Sequence, residues 1–388
     1  MFKKFVSRMI TGATVVTTAC AAMATAPISV AAQEEGDTVR IGSLFELSGA
    51  VAAYGQTQSN AIKMAVEEIN EAGGISGKQV EIVEFDTKSD DTEAAVLATR
   101  LASQENVSVI IGPATTSQMQ AAIPIVNEFE VPLVSPSVTN TDIVFDDDGN
   151  VHPFAYRTSW PNSFQGAGIG KFAYENLNAE KTVVIYDNSS DYGVGLYDNF
   201  QENYEGEIVS VETVQPSDSD FSAIVTNLMA QEFDSIVILA FYQTAGPLVK
   251  QIREMGFEQP IVGSNGFGND IIYELALPEN MNDVYYASLY PILEDDEFVQ
   301  RYQEKFNSDP DMFAALAYDT VYIVKQAIEQ AGSTDPIAVN EALENLGSFE
   351  GITGSFIYDE NHNPTKNVVS MIEIQGAEET GVHEVVFD

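Results

Sequence analysis

Residues 107–117 read Val107-Ser108-Val109-Ile110-Ile111-Gly112-Pro113-Ala114-Thr115-Thr116-Ser117, an apolar run followed by a glycine and a polar segment. The run of Val and Ile predicts a short strand buried on both faces, and the polar residues after the glycine predict the start of a helix. Such a strand–turn–helix unit is typical of a parallel α/β sheet. The hydroxyl and N–H groups at the junction suit a small anion such as a carboxylate, although each Ser or Thr alone could simply cap the helix.

The same unit recurs along the chain. Strands are predicted at 39–44, 80–85, 107–111, 182–186, 235–239 and 260–263. Helices are predicted at 56–72, 92–104, 117–129, 192–204, 221–231, 244–255 and 311–331. Because the pattern runs twice, over 38–155 and 156–286, we expect two doubly wound parallel sheets. No Gly/Ser linker separates them, so we expect closely joined lobes with a ligand cleft at their strand ends.

Further polar and aromatic residues fall where the predicted strands end. A second hydroxyl-rich loop, Ser135-Pro136-Ser137-Val138-Thr139-Asn140, follows the apolar run that ends at Val134. Loop tyrosines stand at Tyr54, Tyr192 and Tyr242. A loop tyrosine is often exposed and idle, but at the rim of a cleft it can cover a small ligand and pair through its hydroxyl.

The charge balance limits the partners. The chain has 17 Lys and Arg against 59 Asp and Glu, a formal net charge of −42. A polyanion would be repelled almost everywhere on such a surface, so nucleic acid is excluded as a partner and anionic lipid is disfavoured. We interpret the acidity as a solvated surface.

Residues 1–32 have the order of a secretory signal peptide. Three cations (Lys3, Lys4 and Arg8) precede an uncharged segment over 9–26, and Val30-Ala31-Ala32 offers a small-residue cleavage site. We therefore expect secretion across the cytoplasmic membrane to the periplasm or the cell surface. No later apolar run is long enough to span a membrane.

The only cysteine lies within that segment. Cys20 could carry a lipid anchor, but signal-like sequence rather than a polar tether follows it, so cleavage after residue 32 is favoured. The chain after residue 32 has no cysteine, and therefore neither disulfide nor thiol chemistry.

Enzyme and metal signatures are weak. The three histidines, His152, His362 and His383, are scattered among acidic loops. The glycines of 166–170 lack the spacing of a dinucleotide motif and favour helix packing. The acidic loop 146–150 lacks the later Glu of a calcium loop and favours a solvated turn. We expect no catalysis, cofactor or metal.

Taken in order, several motifs resemble those of type I periplasmic binding proteins that deliver branched-chain amino acids to ABC importers. The resemblance covers 38–375 and rests on Ser48-Gly49, Tyr54-Gly55, Ile69-Asn70-Glu71-Ala72-Gly73-Gly74-Ile75, Ile111-Gly112-Pro113, Ser135-Pro136-Ser137, Tyr192-Gly193, Tyr318-Asp319 and Phe349-Glu350-Gly351-Ile352-Thr353-Gly354. It implies a monomeric partner of a membrane permease, with two α/β lobes joined by three crossovers. Lobe 1 would comprise 37–156 and 287–354, and lobe 2 would comprise 157–286 and 355–388.

The resemblance also implies the ligand-binding residues. Its carboxylate-binding positions fall on Thr116, Ser137 and Thr139, and the ring that covers the ligand falls on Tyr54. Tyr192 and Tyr242 come from lobe 2. Ala114 and Phe313 fall in the side-chain pocket, and Asn265 falls at the position that pairs with the ammonium group.

One of these positions departs from the family pattern. The family has a carboxylate where this chain has Asn265. Three accounts stay open: an amino acid held by neutral groups, a replacement acid such as Asp270, or a ligand without an ammonium, such as an amide, urea-like compound or carboxylic acid. Trp160, the only Trp, could also reshape the pocket. The expected function is transport of a branched-chain or other small amino acid, with a sensory ligand-binding module as the alternative.

Overall fold

The strands build two large sheets in the computed structural model, which describes residues 38–292 and 296–387. The strands are, in chain order, β1 (Thr38–Phe45), β2 (Gln79–Asp86), β3 (Val109–Ile111), β4 (Leu133–Ser135), β5 (Ala155–Arg157), β6 (Lys181–Asp187), β7 (Glu207–Val214), β8 (Ser235–Leu239), β9 (Ile261–Gly263), β10 (Asn282–Ser288), β11 (Ser348–Gly351), β12 (Gly354–Ile357), β13 (Val368–Gln375) and β14 (Glu378–Val386). The predicted signal peptide, with Cys20, lies outside the described residues.

Eleven α-helices connect these strands within the described ranges. They are α1 (Ala52–Glu71), α2 (Asp91–Gln104), α3 (Thr116–Phe129), α4 (Asn162–Lys171), α5 (Asp191–Asn203), α6 (Ser222–Leu228), α7 (Tyr242–Glu254), α8 (Ile271–Ala276), α9 (Glu297–Phe306), α10 (Met312–Ala331) and α11 (Pro336–Glu344). The predicted helices at 92–104, 117–129 and 192–204 each match an observed helix to within one residue.

The first sheet is wholly parallel, in the order β2-β1-β3-β4-β5. Its central strands β3 and β4 are buried at every residue, as expected for strands covered on both faces. Helix α1 packs against α10, and α2 packs against α3. We call the half of the molecule built on this sheet lobe 1.

The second sheet has the order β14-β13-β10-β9-β8-β6-β7 and forms the half that we call lobe 2. Five of its strands are parallel, whereas β13 and β14 join antiparallel at one edge. Only Gly376 and Ala377 separate β13 from β14, and so short a connection permits only an antiparallel pair. The sequence pattern predicted β6, β8 and β9 but not β7, β10 or this hairpin.

The chain passes between the lobes three times: after β5, after β10, and after the β11–β12 hairpin. The predicted fold class, two doubly wound lobes joined by three crossovers, is confirmed. The residue limits given above for each lobe stay predictions.

Two of the sequence motifs meet beside the third crossover. The carboxylate of Asp319 in α10 accepts the N–H groups of Ile352 (3.0 Å) and Thr353 (2.8 Å) and the Thr353 hydroxyl (2.6 Å). A Cβ on Gly351 would lie 2.4 Å from this carboxylate, so only glycine fits there. The Tyr318-Asp319 and Gly351–Gly354 motifs therefore form one structural joint.

The glycine run 166–170 is a helix-packing feature, as predicted. A Cβ on Gly166 would lie 2.8 Å from Asn199 and Phe200 of α5, so its absence lets α4 approach α5 closely. In the acidic loop, Asp146 Oδ1 accepts the N–H groups of Asp148 (3.0 Å) and Asn150 (2.8 Å), which makes the loop a self-bonded turn.

Candidate functional site

A narrow cavity lies between the lobes, where strands of both sheets end. From lobe 1 it receives the segments that follow β3 and β4, and from lobe 2 those that follow β8 and β9. It is lined by Tyr54, Ala114, Thr115, Thr116, Ser137, Val138, Thr139, Tyr192, Phe241, Asn265, Gly266 and Phe313. A crevice at the carboxyl ends of parallel strands is the usual ligand position in open α/β sheets.

Eight of the nine predicted site residues line this cavity; the ninth, Tyr242, does not. Tyr242 packs edge-to-face behind Tyr54, with ring centroids 4.8 Å apart. Its hydroxyl donates across the cleft to the Ala50 carbonyl (3.3 Å) and accepts the Ala53 N–H (3.3 Å). Its neighbour Phe241 takes the lining position instead.

The start of α3 forms one end of the cavity. The hydroxyl of Thr115, the N-cap residue, donates to Glu46 (2.7 Å), so this side chain does not cap the helix. The first N–H groups of α3 therefore have neither an intrahelical partner nor a side-chain cap. Free N–H groups at a helix N-terminus favour an anion.

Thr139 contributes to the same end. The residue is 1% exposed, and its Oγ1 has no hydrogen-bond partner among the described residues. An unpaired buried hydroxyl costs free energy unless a ligand or water bonds to it. Thr139 is thus a candidate donor to a bound carboxylate.

Ser137 is placed differently from Thr139. Its hydroxyl lies 3.1 Å from both Gln58 Oε1 and the Ala114 carbonyl, so its proton is already engaged by the protein. Its N–H lies 3.4 Å from Ser135 Oγ. Ser137 therefore shapes the wall of the cavity through bonds to neighbouring loops.

Glu46, at the end of β1, supports this wall. Its carboxylate is fully buried and accepts the N–H groups of Ala114 (3.0 Å) and Thr115 (3.1 Å) as well as the Thr115 hydroxyl. Burial raises the pKa of Glu46, and these hydrogen bonds oppose the rise. A Cβ on Gly55 would lie 2.3 Å from the Glu46 carbonyl, which explains the glycine of the Tyr54-Gly55 motif.

Aromatic rings close the opposite side of the cavity. Tyr54 meets Phe241 (5.7 Å between centroids) and Phe313 (4.9 Å) edge-to-face, and Tyr192 stacks on Phe241 at 4.4 Å. The Tyr54 hydroxyl donates across the cleft to the Gly266 carbonyl (2.6 Å). Burial raises the pKa of both Tyr54 and Tyr192 well above the usual range, so each hydroxyl stays protonated and able to donate.

Asn265 is held by lobe 2. Its Oδ1 accepts the Tyr192 hydroxyl (2.6 Å), and its N–H donates to Gln165 Oε1 (2.8 Å). Neither Asp270 nor Trp160 lines the cavity. Trp160 is buried edge-on against Phe164 at 5.9 Å.

Asp311 links the two lobes through hydrogen bonds. Its Oδ2 accepts the Thr57 hydroxyl of lobe 1 (2.8 Å) and the Asn269 amide of lobe 2 (2.8 Å). Its Oδ1 accepts the Ala314 N–H (2.8 Å) at the start of α10. Burial raises the pKa of Asp311 to about 6.

Sequence reasoning missed four of the lining residues: Thr115, Val138, Phe241 and Gly266. All four are immediate neighbours of predicted positions. The supporting residues Glu46 and Gln165 were also missed. For Glu46 a signal existed, because it directly follows β1 at the edge of the sheet where ligands bind.

The cavity lining contains no Asp, Glu, Lys, Arg or His. Within residues 38–292 and 296–387, no group of three or more His, Cys, Asp or Glu is arranged to hold a metal ion. In the same ranges no helix is both long and apolar enough to cross a membrane.

Two α/β lobes with a small cavity between the ends of their strands, and with hydrogen bonds across the cleft, define a two-lobed ligand-binding protein. The model of the family described as periplasmic binding protein matches residues 38–378. The chain therefore belongs to the periplasmic binding protein family.

Named relatives agree with this assignment. The chain is 29% identical over 332 residues to the leucine-, isoleucine-, valine-, threonine- and alanine-binding protein of Pseudomonas aeruginosa, covering 84% of this chain and 86% of that one. It is similar to the branched-chain amino acid transporter substrate-binding protein LivJ of Streptococcus pneumoniae, solved with isoleucine, at 37% identity and a TM-score of 0.85, covering 90% and 100% of the two chains. The leucine-binding protein LivK of Thermotoga maritima is 30% identical, with a TM-score of 0.80 and coverage of 89% and 98%.

Proposed function

We propose that this protein is the extracytoplasmic solute-binding component of an ABC importer and that it binds a branched-chain or other small amino acid in the cavity between its lobes. The observation that carries this proposal is the polar end of the cavity. There the uncapped start of α3 adjoins the unpartnered Thr139 hydroxyl, a combination that suits a carboxylate.

The apolar residues of the cavity favour a ligand with a small aliphatic side chain. Ala114, Val138 and Phe313 lie beside the aromatic rings and offer apolar contact. Burying an aliphatic side chain of the size of leucine stabilises a complex by about 1.5–3 kcal/mol. The relatives named above, whose names give branched-chain amino acids as their ligands, support the same class of ligand.

The mechanism follows from the bonds between the lobes. The carboxylate of the ligand binds first at α3, and lobe 2 then closes, placing Gly266 against Tyr54 and Asn269 against Asp311. A ligand stabilises closure because it contacts both lobes only in the closed form. A membrane permease then takes up the ligand from the closed protein.

The remaining assignments belong to the same proposal. The protein acts as a monomer, without catalysis, and reaches the outside of the cytoplasmic membrane by cleavage of residues 1–32 rather than by lipid attachment at Cys20. The membership of the periplasmic binding protein family supports an extracytoplasmic location.

The test is calorimetric titration of refolded, ligand-stripped residues 33–388 with Leu, Ile, Val, Ala and Phe. We expect one tight site for at least one of these amino acids. Thr116→Ala should weaken it by about tenfold or more, equivalent to roughly 1.4 kcal/mol. Absence of binding to all five amino acids would refute the proposal, and unchanged affinity in Thr116→Ala would refute the site.

A further inference from the structure

The cavity is polar at the end formed by α3 but carries no charged side chain at any point of its lining. A 2-amino acid brings two charges, and the start of α3 can accommodate only the negative one. Burying an ammonium group without an opposite charge is costly, because the cavity removes its water shell. The ammonium group of such a ligand can therefore be hydrogen-bonded only by neutral oxygen atoms.

Two buried acids that bond to segments around the cavity, Glu46 and Asp311, are already engaged. Glu46 accepts three hydrogen bonds from Ala114 and Thr115, and Asp311 accepts three from Thr57, Asn269 and Ala314. Neither acid lines the cavity. Each serves the protein framework, and neither is placed to pair with a ligand.

The neutral acceptors of the cavity are also largely engaged. Asn265 Oδ1 accepts the Tyr192 hydroxyl, and the Gly266 carbonyl accepts the Tyr54 hydroxyl, each at 2.6 Å. The Ala114 carbonyl lies 3.1 Å from the Ser137 hydroxyl. An ammonium group needs three acceptors and a hydroxyl group one, whereas an oxo group needs none and can itself accept from an amide.

We propose that this cavity takes small aliphatic 2-hydroxy and 2-oxo carboxylates as well as the 2-amino acids, because nothing in its lining selects for a positive charge. The inference rests on the proposed function, since it assumes a ligand carboxylate at α3. A hydrogen bond to a neutral partner contributes little more for an ammonium than for a hydroxyl, so the preference for the amino acid stays within about tenfold.

The test is a calorimetric comparison of three ligands of equal carbon skeleton: leucine, 2-hydroxy-4-methylpentanoate and 4-methyl-2-oxopentanoate. Ligand-stripped residues 33–388 are titrated in about 0.5 M salt, which screens the repulsion between the acidic surface and the two anions. We expect dissociation constants within about tenfold of one another.

Asn265→Asp supplies the missing charge. It should raise the preference for leucine over both anions by about tenfold or more, because the new carboxylate pairs with the ammonium and repels the anions. Asn227→Asp is the matched control, since it adds the same charge at an exposed position of α6. The control should leave all three affinities unchanged.

The wild-type comparison decides by itself, even if Asn265→Asp fails to fold. Tight leucine binding with both anions more than about 100-fold weaker would overturn this inference and leave the proposed function standing. Binding of the two anions without leucine would overturn both the expected near-equal affinities and the amino acid assignment. Binding of none of the three would overturn both.

Discussion

Tyr54→Phe tests whether the bond between Tyr54 and Gly266 stabilises the closed, ligand-bound form. The substitution keeps the ring, with its contacts to Phe241, Tyr242 and Phe313, and removes only the hydroxyl. That hydroxyl donates to the Gly266 carbonyl at 2.6 Å and lies 3.3 Å from the Tyr242 N–H.

The expected loss of ligand affinity in Tyr54→Phe follows from the burial of the two bonded groups. Tyr54 is 3% exposed and Gly266 is buried, so the closed variant keeps a buried carbonyl without its donor. The cost is about 1–2 kcal/mol, or roughly 5- to 30-fold in the dissociation constant. In an open form water can bond to the same carbonyl, so the cost falls on closure rather than on folding.

The assay is calorimetric titration of the wild type and the variant with the tightest amino acid found. Tyr322→Phe is the matched control, because its hydroxyl bonds to Glu68 (3.2 Å) within lobe 1 and away from the cavity. The control should bind as the wild type does. If Tyr54→Phe also bound with wild-type affinity, the bond across the cleft would contribute nothing to ligand binding.

Substitutions at three buried acids give further tests. Glu46→Ala should weaken ligand binding by about tenfold or more, with Glu46→Gln less affected because it keeps an acceptor; equal calorimetric affinities for all three proteins would contradict this. Asp319→Ala should lower the free energy of unfolding by about 2–4 kcal/mol, because buried donors of Thr353 lose their acceptor; a urea midpoint equal to that of the wild type would be inconsistent with the joint. The raised pKa of Asp311, about 6, means that its contribution to stability is full below about pH 4 and lost as the pH rises through about 6. The melting temperature of the wild type minus that of Asp311→Asn should therefore decrease as the pH rises from about 4 to about 7. A difference that does not change with pH would exclude this role.

The repeated strand–helix pattern made most of the fold predictable. Buried parallel strands such as β3 and β4 are apolar throughout, and their helices have regular apolar periodicity. The antiparallel edge formed by β13 and β14 was not predicted, because β14 is largely exposed and therefore mixes polar with apolar residues. Periodicity identifies buried strands better than exposed ones.

The site was predictable at the level of loops but not of individual atoms. Loops at strand ends are expected to lie near the cleft, and Thr116 and Thr139 from two such loops line the same cavity. Asn265, which the family resemblance implied, lines it too. Phe241 rather than Tyr242 lines the cavity because the two face different ways at the start of α7, and that orientation depends on packing against Tyr54. The engagement of Glu46 with Thr115 required the folded geometry, since 69 residues separate them in sequence.

A crystal structure of residues 33–388 grown with leucine would locate the ligand and its contacts. We expect one leucine in the cavity between the lobes, with its carboxylate within hydrogen-bond distance of the Thr116 N–H and Oγ1 and of Thr139 Oγ1, and its side chain beside Phe313. An empty cavity, or leucine bound only elsewhere on the protein, would contradict this expectation.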